Sequence, residues 1–161
     1  MKQRTFVIVV GSLTIAAVIA LLQPLYHYRR TRCVEVLKVL GDSIHLYQVS
    51  HDGQLPRTLT VLSNDLITPL LLMCPGSRNH SGTFDNADSW SDYLVVDWAK
   101  WNGTNAVPSE YPIAYDRTLH NHSGHGINVL SADGFVRWDP NAEQLNRFVK
   151  EHPQFRLVIP E

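Results

Sequence analysis

Residues 6–22, FVIVVGSLTIAAVIALL, carry no charge. The hydrocarbon core of a bilayer, about 30 Å thick, is crossed by about 20 apolar residues in a helix. The run from Phe6 to Leu25 meets that length once the single Gln23 is accepted. A helix lying on a soluble core would show a polar face, and this segment, apolar all round, shows none. A cleaved signal peptide is the competing assignment, with Val18-Ile19-Ala20 as a loose small-residue cleavage site. Leu21 and Leu22 carry the apolar run past that site. The expectation is a retained anchor over residues 1–28 and a head over residues 29–161. Lys2 and Arg4 precede the run and Arg29, Arg30 and Arg32 follow it, so basic flanks alone do not orient it.

The chain has 161 residues, enough for one head with a real core. Its 14 Lys and Arg nearly balance 15 Asp and Glu, so bulk charge gives no pull toward nucleic acid. Downstream of Pro24, Cys33, Leu37, Leu40, Ile44 and Tyr47 recur at helical spacing and predict an amphipathic helix over 29–50. HDGQLP (51–56) supplies turn chemistry to end it. Residues 58–66 read as a short helix and 79–91 as a polar loop. DYLVVDW (92–98) and YPIAYD (111–116) read as strands. GINVLSADGFVRW (126–138) reads as a hairpin, with arms 127–130 and 135–138 and Gly134 in the left-handed position of its turn. Asp139-Pro140 then reads as the cap and first residue of a last helix, buried through Leu145, Phe148 and Val149. The predicted class is α+β: a long N-terminal helix, anchor plus stalk, on a small antiparallel sheet, with a C-terminal helix.

Three histidines, His120, His122 and His125, crowd the entrance to the hairpin. Three imidazoles can hold zinc with an open position. Their HxHxxH spacing matches no familiar ligand pattern, and a polar turn with one histidine bonded to Asp133 or to a backbone carbonyl is the preferred reading. Asp85, Asp88 and Asp92, with Asp97 and Asp116 beyond, offer oxygen ligands for calcium. Solvated loop carboxylates are the preferred reading there. Trp90, Trp98, Trp101 and Trp138 could line a groove, though packing is the commoner use of such residues. No nucleophile elbow, HExxH or phosphate loop is present, so an enzyme is not expected, and no cofactor either. The two cysteines, Cys33 and Cys74, read as one disulfide in an oxidising compartment, with two buried free thiols as the alternative.

Four stretches in order carry a resemblance. ALLQPLY (20–26), CVEVLKVLGDSIHLYQVSHDGQLP (33–56), LLMCPGS (71–77) and GHGINVLSADGFVRW (124–138) resemble prepilin-type proteins of the type IV pilin and type II secretion pseudopilin class. More narrowly, they resemble those with an H-X9-DG C-terminal domain. Thr5 stands where that family has the glycine before its processing site, and Val10 where it has glutamate. Ten residues rather than nine separate His122 from Asp133. The resemblance implies a non-catalytic structural or assembly subunit in a bacterial inner membrane, single-pass, with its head in the periplasm or outside. Its implied partners are membrane lipid, other pseudopilin or secretion-system subunits, and further copies of itself. It gives His122, His125, Asp133 and Gly134 a structural role, and adds calcium as a ligand of some relatives. The competing reading is a stand-alone anchored module that uses the loop over 79–112 to bind a ligand.

Overall fold

The structure is a computed structural model that describes residues 28, 30–62, 67–77, 82–100, 107–122, 124–155 and 157–160. The expected anchor over residues 6–22 lies outside the described residues, and no helix among the described residues is long and apolar enough to cross a membrane.

The first described element is helix α1, residues 30–50. Its apolar stripe does what the spacing predicts. Cys33, Leu37, Leu40 and Ile44 are buried, and Tyr47 packs against the same core. Gly41 sits mid-helix, where glycine costs about 1 kcal/mol against alanine. The close approach explains it: a Cβ there would stand 3.1 Å from the Leu130 side chain. The helix ends in a turn that uses Asp52 (φ 52°) and Gly53 (φ 80°) in the left-handed region.

The sheet has four antiparallel strands in chain order: β1 (Tyr93–Val95), β2 (Pro112–Asp116), β3 (Gly126–Ser131) and β4 (Val136–Pro140). Every residue of β2 is buried. Successive side chains point to opposite faces, so both faces of the sheet are covered at this strand. The Tyr115 hydroxyl donates to the Val158 carbonyl at 3.0 Å, which ties the C-terminal tail to β2. Burial raises the Tyr115 pKa well above the usual phenol range. Trp98, Tyr111, Phe148 and Phe155 pack ring against ring in the core.

Several expectations need correction. The strand expected over 92–98 is only three residues long, and Trp98–Lys100 turns into a single 3-10 turn. Of the helix expected over 58–66, the described part holds a 3-10 turn at Leu59–Leu62, and residues 63–66 lie outside the described residues. The Leu59 amide and the Thr60 hydroxyl donate to the Asp88 carboxylate, on the one-turn helix α2 (Ala87–Trp90), at 2.8 Å and 2.7 Å. The hairpin is as expected, with Gly134 at φ 80°, except that Phe135 lies outside β4 and is exposed. Asp139-Pro140 does not open the last helix. Both residues finish β4, where Asp139 pairs with Ile127 in register. The chain then turns through two left-handed residues, Asn141 and Ala142, into α3 (Glu143–Glu151). Asp139 still caps that helix, from further back than usual. Its carboxylate accepts from Gln144 N at 2.9 Å and Leu145 N at 2.8 Å. Leu145 and Phe148 are the buried face of α3, and Val149 is half-buried.

Candidate functional site

Cys33 and Cys74 form a disulfide, with Cα atoms 5.5 Å apart. It joins α1 to the loop before β1 and closes a segment of 41 residues. Loop-closure entropy alone gives such a bridge a stabilising effect of about 4 kcal/mol. The loop that carries Cys74 is held from the start of the sheet. Asp92 Oδ2 accepts from Cys74 N and Asp92 Oδ1 from the Ser77 hydroxyl, both at 2.9 Å. Ser91 donates its hydroxyl to the Leu72 carbonyl at 3.1 Å. The Pro75-Gly76 turn presses so closely on the 3-10 turn Leu119–His122 that a Cβ on Gly76 would stand 2.2 Å from the Asn121 carbonyl oxygen. Cysteine, proline and glycine in sequence thus place one sulfur against one histidine.

That histidine is His122, buried to 1% exposure. Its Nε2 lies 2.9 Å from Asp116 Oδ2 and 3.9 Å from Cys74 Sγ. Asp116 is fully buried at the end of β2. Asn128, on β3, donates to the same Asp116 oxygen through its backbone N at 2.6 Å and its side-chain Nδ2 at 3.0 Å. The other oxygen, Asp116 Oδ1, has no hydrogen-bond partner among the described residues, nor has Asn128 Oδ1. Trp138 stands edge-on to the His122 ring with centroids 5.5 Å apart, and its own face carries the Arg30 guanidinium at 4.2 Å. Burial pushes the Asp116 carboxyl above the ordinary carboxylate range, against the opposing pull of His122 and the two Asn128 bonds. Burial also raises the Tyr93 phenol, and the nearby Asp116 and Asp92 carboxylates raise it further. Asp116 and Cys74 approach the same ring nitrogen of His122. A nucleophile–base–acid relay needs them on opposite nitrogens.

The residues expected to act together are separated. Among the three histidines only His122 is buried; His120 and His125 are exposed, and His120 Nδ1 lies 3.1 Å from the Thr118 hydroxyl. His122 ends the 3-10 turn Leu119–His122 and is buried there, while His120 and His125 stay outside, so the HxHxxH set does not converge. His122 bonds Asp116 and not Asp133, which instead pairs with Arg137 at the hairpin tip, 3.0 Å from Nη1. The candidate calcium ligands do not cluster among the described residues either. Asp88 is taken up by Leu59 and Thr60, Asp92 by Cys74 and Ser77, and Asp85 is exposed. Trp98 is core and Trp90 donates to the Thr83 carbonyl, while Trp101 lies outside the described residues. Sequence reasoning passed over Asn128 and counted Asp116 only as a loop carboxylate. The available signal was a polar Asn set inside the apolar arm INVL and an Asp closing an otherwise apolar strand. No family model matches the chain, and no curated protein and no solved structure matches it.

Proposed function

We propose that the protein is a membrane-anchored, non-catalytic subunit of a pseudopilin-like assembly of the type II secretion or type IV pilus class. One observation carries this reading most: α1 is bonded through Cys33–Cys74 into the head while keeping an apolar line on its outer side. Tyr28, Val39, Leu46 and Val49 are exposed and fall on one side of the helix by their spacing, a line that the exposed Arg32, Glu35 and Asp42 border. A helix so built transmits force from whatever precedes residue 28 into the core, and offers its outer line to a neighbouring helix. The four-strand sheet and the short resembling stretches support the same reading. The expected location is a bacterial inner membrane, with residues 6–22 as the single span.

Site-specific photocross-linkers at Val39 and Leu46, in the protein within its native membrane, test it. Adducts to a second copy, or to another subunit with an apolar N-terminal segment, are expected. Intact mass should show either a start at Phe6, as after prepilin processing, or a start at Met1 with the anchor kept. Chains that lack the anchor and give no adduct would overturn the proposal. A stand-alone binding module is favoured by Thr5 and Val10, and by a half-open hollow of about 530 Å³ lined by Gln48, Arg57, Trp98 and Ile113. An anchored chain that starts at Met1 and stays monomeric would select it.

A further inference from the structure

The sulfur atoms of Cys33 and Cys74 and the Nε2 of His122 all lie within 4.8 Å of one another, and all three residues are buried. We infer that these three, with Asp116 drawn in from beside His122 as a fourth ligand, form a closed zinc site whenever the two cysteines are reduced. Structural zinc takes four ligands at tetrahedral corners, with Zn–S about 2.3 Å and Zn–N or Zn–O about 2.0–2.2 Å. Two ligand atoms on one zinc are therefore about 3.3–3.8 Å apart. His122 Nε2 and Cys74 Sγ already stand 3.9 Å apart, whereas His122 Nε2 and Asp116 Oδ2, at 2.9 Å, are in hydrogen-bond contact and must open by about 0.4 Å to share a metal. Cutting the disulfide lets the sulfurs separate to the required spacing while the Cα atoms stay at 5.5 Å.

The surroundings are those a thiolate–carboxylate set needs. Gly76 N points at Cys74 Sγ at 3.4 Å, and such donors steady a ligating sulfur. Asn128 orients Asp116 through two bonds to the one oxygen Oδ2. Asp116 Oδ1, fully buried, is without a hydrogen-bond partner among the described residues, an acceptor left over for a cation. Trp138 covers the His122 edge, and no ligand is exposed, so the site would be structural and not catalytic. Carboxylate, imidazole and two sulfurs suit zinc better than calcium, which takes oxygen.

The chemistry balances in two steps. A dithiol reductant gives two electrons and two protons to the Cys33–Cys74 bond, which opens to two thiols while the reductant closes to its own disulfide. Zinc then displaces both thiol protons and the Nε2 proton of any His122 that carries one. Oxidation by a disulfide donor runs the sequence backwards and releases the metal. The same four side chains thus give one cross-link in an oxidising compartment and another before oxidation.

The test uses the full chain in detergent micelles. It is reduced with dithiothreitol in urea, freed of both under argon, and dialysed against zinc chloride and then against metal-free buffer. About one zinc per chain should remain, and the oxidised chain should hold less than a tenth of that. His122→Gln and Cys74→Ser should each lower zinc affinity at least about tenfold, as loss of a ligand does, and Asp116→Asn should lower it less. Far-UV circular dichroism of reduced wild type, with and without zinc, covers the case where variants do not fold. Structure regained or a higher melting temperature with zinc supports the site. Reduced wild type that keeps no zinc overturns it, whether folded or unfolded. So does a folded His122→Gln variant that binds zinc as tightly as wild type.

Discussion

Two paired carboxylates, one beside a histidine and one beside an arginine, lie at opposite ends of one hairpin. Asp116–His122 sits at its base, with side-chain exposures of 0% and 1%; Asp133–Arg137 sits at its tip, at 21% and 45%. The chemistry is similar and the environment is not. At the base, burial dominates and lifts the Asp116 carboxyl. At the tip, the Arg137 hydrogen bonds dominate and lower the Asp133 carboxyl. A buried pair is costly to form and costlier to break, because either partner left alone is a polar group in a dry site. An exposed pair is worth little, because water replaces either partner. The lesson is that the base of the hairpin is specified by its neighbours, while the tip is only decorated.

His122→Ala should break this contrast most strongly. It leaves Asp116 buried without its partner and should cost about 3–5 kcal/mol, read from urea unfolding. An effect no larger than that of Asp133→Ala would collapse the distinction. Replacing both Cys33 and Cys74 by alanine removes the cross-link beside the same pair, and should cost about 2–4 kcal/mol. Asp139→Ala probes a third carboxylate, buried like Asp116 but bonded to two helix amides. It should cost about 1–2 kcal/mol, with α3 fraying first in hydrogen exchange.

The smallest effect belongs to the tip. Asp133→Asn should cost about 0.2–1 kcal/mol and shrink further in high salt. Its sign with pH is fixed: a carboxyl lowered in the folded state stabilises above the ordinary carboxylate range, and that contribution fades as pH falls through the lowered value. Wild type and Asp133→Asn should therefore converge in acid. Asp116 acts oppositely, since a raised carboxyl makes its own contribution less favourable as pH rises from the ordinary range through the raised value. Paired unfolding curves of Asp116→Asn and Asp133→Asn across the acid range measure the two slopes; parallel slopes would refute the contrast.

Where the sequence was legible, a local rule was enough. The stripe from Cys33 to Tyr47 needs only helical periodicity, and the β3–β4 hairpin only an Asp-Gly between apolar arms. Asp139-Pro140 misled because a cap and a strand end use the same letters. Pairing with Ile127 decided it, and a cap acting across Asn141-Ala142 leaves no signature in spacing. The site was less legible than the fold. His122 was visible as one of three histidines, but which of them turns inward depends on Asp116, six residues earlier in chain order, and on Cys74, 48 residues away. Those partners meet only through the register of β2 against β3 and the placing of the Cys74 loop by Asp92.

The strands pair in the order in which they are made, β1 to β2 to β3 to β4. Each pairing joins neighbours along the chain, and contacts of that kind form early and fast. The helix that bears Cys33 is different. It comes first among the described elements, yet its stripe finds its partners on strands and loops made much later. The 5.5 Å Cα spacing of Cys33 and Cys74 belongs to the state in which that helix lies across Leu130. In oxidative refolding, the disappearance of free thiol would therefore clock the arrival of the helix, and not the making of the sheet.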